Sequence, residues 1–129
     1  TLAQAECGIA AIEQATRDIR NAELNSRLRR IVALAQQILS LLAEDPRDLR
    51  RARKFLNVYL DGAKQVTEGY AKTHGRVSAP ELEDNFRQAL IKIEEVFTEQ
   101  QQKLLESDVS DLDVRIEVLT TELKQEGVL

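Results

Sequence analysis

Apolar residues recur along the chain at alternating steps of three and four, the spacing that places them on one side of an α-helix. The clearest case is the segment 48–70, where seven residues carry the repeat: Leu49, Ala52, Leu56, Tyr59, Ala63, Val66 and Tyr70. Phe55 and Leu60 flank this stripe and widen it. We therefore predict that this segment is the central helix of a bundle, on which the other helices pack.

The same spacing divides the chain into five predicted helices, at residues 3–20, 22–44, 46–73, 79–106 and 111–125. Asn21 and Asp45 are suited to helix N-caps, and Pro46 suits the first position of the helix that follows. Gly75 is predicted to stop the third helix. No segment has the sustained two-residue alternation of a β-strand. The predicted fold class is all-α, an antiparallel helical bundle of four to five helices.

Two further predictions concern how these helices pack. The junction at Asp45 is short, so the second and third helices should be antiparallel neighbours. Residues 107–110 are predicted to form a turn, after which the fifth helix places its apolar residues inward. Those residues are Leu112, Ile116, Leu119 and Leu123. Asp111 and Asp113 would then lie in its first turn, where carboxylates meet the positive end of the helix dipole.

Length and composition favour one helical domain over residues 1–129. The chain begins at Thr1 without Met, which is consistent with a fragment that lacks an upstream segment. A single cysteine, Cys7, cannot form an internal disulfide and fits a reducing compartment. No apolar run approaches the roughly 20 residues that span a membrane. We expect a cytoplasmic protein, or one at the cytoplasmic face of a membrane.

The formal net charge of −4 is unevenly distributed along the chain. Residues 1–64 carry eleven Lys/Arg against eight Asp/Glu, a balance of +3, whereas residues 65–129 carry seven against fourteen, a balance of −7. Nucleic-acid-binding domains are usually basic overall. The sequence therefore predicts no nucleic-acid partner.

Two stretches resemble a known family when they are taken together with the helix between them. ARKFLNVYLDGAKQVTEGY (52–70) and DLDVRIEVLTTELKQEG (111–127), with IEEVF in the fourth helix and the DPRDLRRARKFL junction, resemble the bacterial 5-bromo-4-chloroindolyl phosphate hydrolysis protein family, also called XpaC-like. The resemblance covers roughly residue 21 to the C-terminus. It implies a bacterial cytoplasmic protein, a possible association with toxic anion resistance proteins, and, by the family's name, hydrolysis of an aryl phosphate.

Hydrolysis of a phosphoester needs a nucleophile or a metal-bound water. Cys7 is followed six residues later by Glu13, where cysteine phosphatases have arginine. His74 precedes Gly75 and Arg76, the reverse of the Arg-His-Gly order of histidine phosphatases, and the chain has no second histidine. We interpret Cys7 as a small apolar residue of the first helix and His74 as a helix-end residue beside the negative end of the dipole.

Carboxylate chemistry is equally incomplete. Asp111 and Asp113 imitate the start of an aspartate-nucleophile motif, but Arg115 breaks it, and the pair opens a helix rather than following a strand. The Glu-x-x-His pairs of dinuclear helical metal sites are absent from the sequence. The sequence therefore predicts no catalytic, cofactor-binding or metal-ligating residues and no cofactor.

The remaining candidate is a basic cluster at the start of the third helix. Arg47, Arg50, Arg51 and Lys54 are candidate anion- or partner-binding residues, for a phosphate, an anionic lipid surface or an acidic protein. The alternative is a solvated helix face. Membrane contact is expected only through this cluster or through a segment upstream of Thr1.

These observations favour a non-catalytic helical interaction or scaffold domain, which binds a protein partner or a second copy of itself. Two alternatives stay open: a phosphoester hydrolase, as the family name implies, and a protein that binds anions or anionic lipids through the basic cluster.

Overall fold

The computed structural model of the protein describes residues 2–74, 76 and 79–128, and its side-chain detail leaves out Pro46 and Arg51. Within this part of the chain every regular element is helical and the helices pack as a bundle, which confirms the predicted all-α class. The elements are α1 (Leu2–Arg17), α2 (Ala22–Glu44), α3 (Pro46–Arg51), a π-helix (Phe55–Leu60), α4 (Asp61–His74) and α5 (Pro80–Gln125). The predicted stop at Gly75 lies outside the described residues.

The two predicted helix starts are confirmed. The side chain of Asn21 accepts a hydrogen bond from the backbone N–H of Leu24 at 3.1 Å, and α2 begins at the next residue. Asp45 Oδ1 accepts from the N–H of Arg47 at 3.0 Å, with a proline in the first turn of α3. In both cases a short polar side chain replaces the helical hydrogen bond that the first turn cannot make.

The predicted third helix is interrupted by the π-helix, and this shifts its buried side. The residues buried here are Asp48, Ala52, Phe55, Leu60, Ala63, Thr67 and Tyr70, so one step of five stands among steps of three and four. A π-helical turn spans one more residue than an α-helical turn, so Phe55 and Leu60 both point inward. Val66, which an unbroken α-helix would bury, is 43 % exposed. The prediction that Val66 is a core residue is wrong.

Successive long helices run in alternating directions, as predicted for an antiparallel bundle. Phe55 meets Phe97 edge to face at 4.8 Å between centroids, and Tyr70 stacks on Phe86 at 4.1 Å, so α4 and α5 are antiparallel. The end of α4 meets the end of α1, because His74 Nε2 lies 3.0 Å from the Asp18 carbonyl oxygen. α1 and α4 are therefore parallel.

The packing order around the bundle is α4, α1, α2, α5. α4 packs on α1 and α5, so the second and third predicted helices run antiparallel but contact each other mainly through the short α3. The predicted central role of the segment 48–70 is wrong. α2 and α4 each pack against both α1 and α5, so the bundle has no single central helix. α2 buries seven residues along its length: Leu24, Leu28, Ile31, Ala35, Ile38, Leu39 and Leu42.

α5 is one continuous helix of 46 residues, so the predicted turn at 107–110 is wrong. Ser107, Asp108, Val109 and Ser110 are all helical, and none of them is a glycine or proline that would end the helix. The inward placement of the residues beyond the turn is wrong too: Leu112, Ile116 and Leu119 are 57 %, 52 % and 55 % exposed, and Leu123 is partly exposed. No helix among the described residues combines the length and apolar character needed to cross a bilayer.

Candidate functional site

The predicted basic cluster lies where α5 leaves the bundle. α2 ends at Glu44, Asp45 caps α3, and the first turn of α3 faces the middle of α5. This placement brings together the predicted cation Arg47 and four carboxylates, two of which, Asp108 and Asp111, are distant from it in the sequence. They are Asp45, Asp48, Asp108 and Asp111. We call this group the junction cluster.

Arg47 connects the two sides of the junction cluster. Its Nη2 lies 2.9 Å from Asp45 Oδ2 and 3.6 Å from Asp111 Oδ2, and its Nε donates to Asp45 Oδ1 at 3.2 Å. The hydrogen bonds to Asp45 raise the pKa of the Arg47 guanidinium, and the charges of Asp45 and Asp111 raise it further. An anion at this position would have to compete with two carboxylates that already contact the cation.

Three carboxylates of the junction cluster could also hold a cation. Asp45, Asp48 and Asp108 each offer an oxygen, and these oxygens lie within 4.8 Å of one another. Asp48 is 1 % exposed. Hard divalent cations prefer oxygen ligands of this kind. Spacing along the chain does not indicate this set, because Asp108 is 60 positions beyond Asp48.

The other predicted members of the basic cluster lie away from these carboxylates or outside the description. Arg50 is exposed. Lys54 is exposed as well, and its Nζ lies 5.9 Å from the centre of the Tyr59 ring. The side chain of Arg51 lies outside the described detail. The structure therefore commits Arg47 to acidic partners and leaves Arg50 and Lys54 facing solvent.

The residues considered for catalysis are distributed over the molecule. Cys7 is exposed on α1. His74 is in the last turn of α4, as predicted, and its ring stacks on Tyr70 with 5.1 Å between centroids. Asp111 and Asp113 lie inside α5 rather than in a first turn, so their predicted interaction with a helix dipole is wrong. Asp111 contacts Arg47 instead.

A groove of 530 Å³ lies between the start of α1 and the π-helix. Its lining includes Cys7, Gly8, Asn57, Asp61 and Lys64. π-Helical turns occur frequently at functional sites. Asp61 accepts a hydrogen bond from Gln65 at 2.7 Å, so this carboxylate is already engaged at the rim of the groove.

Polar contacts between α2 and α5 repeat every seven residues. Glu23 accepts from Arg87 at 2.8 Å, and Arg30 donates to Glu94 at 2.8 Å. Gln37 accepts from Gln101 one further repeat along both helices. The numbering offset is 64 at each contact, so α2 and α5 run parallel and in register. The next such pair would join Glu44 and Asp108, at the point where α2 ends.

Beyond Leu104 no residue of α5 is buried, although Asp108 and Asp111 still face the start of α3. Leu104 is 3 % exposed and is the last buried residue of α5, whereas its neighbour Leu105 is 46 % exposed. We call residues 105–125 the α5 extension. Its apolar residues again alternate at steps of four and three, and we call them the C-terminal stripe: Leu105, Val109, Leu112, Ile116, Leu119 and Leu123.

The C-terminal stripe does not continue the buried side of α5. The buried positions Leu90, Phe97 and Leu104 are spaced by seven, and their series would pass through Asp111. The stripe follows one position later, at Leu105 and Leu112, which rotates it by about 100° around the helix. Thr98 and Gln102, seven residues before Leu105 and Val109, are exposed. The stripe therefore lies on the solvent-facing side of α5, and the seven-residue series of Arg87, Glu94 and Gln101 runs along its edge.

A comparison with family models identifies a relationship over most of the chain. The model described as "5-bromo-4-chloroindolyl phosphate hydrolysis protein" matches residues 1–119. This range adds α1 to the region in which the resemblance was found from the sequence. It also includes five of the six positions of the C-terminal stripe, up to Leu119. No curated protein and no solved structure matches the chain.

Proposed function

The chain belongs to the 5-bromo-4-chloroindolyl phosphate hydrolysis protein family, and within that family we propose that it acts as a non-catalytic helical interaction domain. The α5 extension is its docking element, and it binds a helix of a protein partner or of a second copy.

The observation that supports this proposal is the exposure of the C-terminal stripe. Val109, Leu112 and Leu119 are 62 %, 57 % and 55 % exposed, on a helix whose preceding half is built into the core. Burying one such side chain fully is worth about 1.5–3 kcal/mol. Contiguous apolar surface of this kind marks interaction sites on soluble proteins.

The arrangement of the stripe favours another helix as the group that covers it. In heptad terms the a positions are Val109, Ile116 and Leu123, and the d positions are Leu105, Leu112 and Leu119. A stripe that repeats every 3.5 residues keeps facing a neighbouring helix as the two wind around each other. β-Branched residues at a and leucine at d favour two-stranded parallel pairs.

Two substitutions with matched exposure test this function. Ile116 and Val118 are both β-branched and both 52 % exposed on the α5 extension, but only Ile116 belongs to the stripe. We expect wild type and Val118→Gln to associate in one of two ways. Either they recover a stoichiometric partner from the source cells, or light scattering shows that they dimerise. Ile116→Gln should lose that association. The proposal would be contradicted if wild type, Val118→Gln and Ile116→Gln were all monomeric in light scattering and all recovered the same proteins from the source cells.

The rival function is phosphoester hydrolysis, which is favoured by the family's description. The direct assay is turnover of 5-bromo-4-chloroindolyl phosphate by the purified chain, with and without Mg²⁺ or Mn²⁺. We expect no turnover above buffer. Turnover that disappears in Asp108→Asn, a variant in the junction cluster, would replace the interaction proposal with an enzymatic one.

A further inference from the structure

We propose that the partner of the C-terminal stripe is a basic amphipathic helix of another protein, which lies parallel to the α5 extension and follows the direction of α2. This inference rests on the proposed docking function and adds the chemistry of the partner.

Charge supplies the first argument. Residues 105–128 carry seven acidic side chains and two basic ones, Arg115 and Lys124. The positions that flank the stripe, e and g in heptad terms, hold Glu106, Asp108, Asp113, Arg115, Thr120 and Glu122. Charges at e and g positions set the choice of partner in helix pairs. Four acidic groups against one basic group at these positions favour a partner with lysine or arginine opposite them.

A second copy of the chain does not fit these positions. In a parallel pair, a g position faces the following e position of the other helix, so Asp108 would face Asp113 on both sides. In a fully overlapped antiparallel pair, Asp113 would face Asp113, Arg115 would face Arg115 and Asp108 would face Glu122. Like charges placed opposite one another oppose pairing. Neither alignment offers an opposite-charge contact at these positions.

The contacts between α2 and α5 indicate how the partner lies. Glu23 pairs with Arg87 and Arg30 pairs with Glu94, so the existing parallel pair matches opposite charges at every charged repeat. On α5 the same seven-residue series continues through Arg115 and Glu122 after α2 has ended. A helix that lies on the stripe and runs parallel to α5 would meet the next positions of that series along one edge, where the charges can be matched as they are with α2.

Two designed peptides test the chemistry of the partner. Both have three heptads with isoleucine at a and leucine at d; the basic peptide has lysine at e and g, and the acidic peptide has glutamate there. We expect the full chain to bind the fluorescently labelled basic peptide at least about tenfold more tightly at about 50 mM salt. The preference should shrink at about 500 mM salt, because screening weakens exposed charge contacts.

Two charge reversals provide the matched control. Glu122→Lys changes a g position beside the stripe, whereas Glu117→Lys makes the same change at a b position on the other side of the helix. Both substitutions change the net charge of the chain equally, so both weaken its non-specific attraction to the basic peptide equally. We expect Glu122→Lys to reduce the preference for the basic peptide about threefold to tenfold beyond the effect of Glu117→Lys.

The outcomes separate this inference from the function on which it rests. Equal affinity for the two peptides, equal effects of the two reversals, or a wild-type dimer that Ile116→Gln abolishes would overturn the basic partner while keeping the docking stripe. If neither peptide binds, or if Ile116→Gln and Val118→Gln leave peptide binding unchanged, the docking function itself is wrong.

Discussion

Two leucines on α5 offer a direct test of where the bundle ends. Leu90 is 1 % exposed in the core, and Leu112 is 57 % exposed on the α5 extension of the same helix. The substitutions Leu90→Ala and Leu112→Ala remove the same atoms and introduce the same strong helix former. Any difference between their effects on the free energy of unfolding therefore reports the surroundings of the two side chains.

The expected effects differ by several kcal/mol. A buried leucine truncated to alanine costs about 2–5 kcal/mol, because the transfer energy is lost and a cavity remains. Leu112 is less than half covered, and full burial of a leucine is worth about 1.5–3 kcal/mol, so its truncation should cost about 1 kcal/mol or less. For a chain of this length, 1 kcal/mol shifts the melting temperature by about 3–5 °C.

The assay is urea unfolding followed by far-UV circular dichroism at low micromolar concentration, and again at a tenfold higher concentration. The low concentration limits association, and the higher one reveals whether the α5 extension gains stability from it. If Leu112→Ala costs 2 kcal/mol or more in the monomer, the α5 extension packs on the bundle. The exposed stripe, and both proposals built on it, would then be wrong.

Three further predictions concern charges and burial. Contacts with Arg87 and then with Arg27 lower the pKa of Glu23 below 4.5, so its contribution to stability exists above that pH and disappears as the pH falls through the lowered pKa. Glu23→Gln should therefore lower the urea midpoint at pH 7 and have little effect near pH 3. Burial, and next the charge of Glu83, raises the pKa of Tyr70 above 10.0. The stabilisation linked to this shift is present below pH 10.0 and is lost as the pH rises through the raised pKa. In 295 nm absorbance, the most alkaline tyrosine transition should be absent from Tyr70→Phe, and its persistence would contradict the assignment. The Arg50→Ala/Arg51→Ala variant should float with anionic liposomes to the same extent as wild type, and reduced flotation would support the lipid-binding alternative.

Local chemistry made the helix starts predictable from the sequence. Asn21 and Asp45 cap the helices that follow them, because their side-chain oxygens reach the first backbone N–H groups regardless of the rest of the fold. Periodicity identified the buried side of α2 for a similar reason, since a regular α-helix keeps its apolar spacing throughout. These features depend on residues within a few positions of one another.

Features that depend on distant segments were predicted incorrectly. Phe55 and Leu60 are both inward because of a π-helical turn, and nothing in the three-four spacing signals an extra residue in that turn. The apolar residues after Ser110 imply burial by their periodicity, but whether a neighbouring helix covers them depends on how α5 packs, and the C-terminal stripe lies on its solvent-facing side. Two signals were available: the segment 107–110 lacks a helix breaker, and the stripe shifts by one position at Leu105.

The junction cluster lies between these two cases. The sequence identified Arg47 as a candidate binding residue at the start of a helix, and that location is correct. The acidic residues that contact it come partly from α5, more than 60 positions along the chain, so its engagement with Asp111 followed only from the packing of α5 against the α2–α3 corner.

The continuity of α5 has a mechanical consequence. At about 1.5 Å per residue its 46 residues form a strut of about 70 Å, anchored in the bundle at one end and projecting at the other. Because α5 has no break between these two ends, a partner bound to the α5 extension would keep a fixed orientation relative to the bundle. Inserting a single alanine after Ser107 would rotate the rest of the helix by about 100° about its axis, and would turn Asp111 away from Arg47.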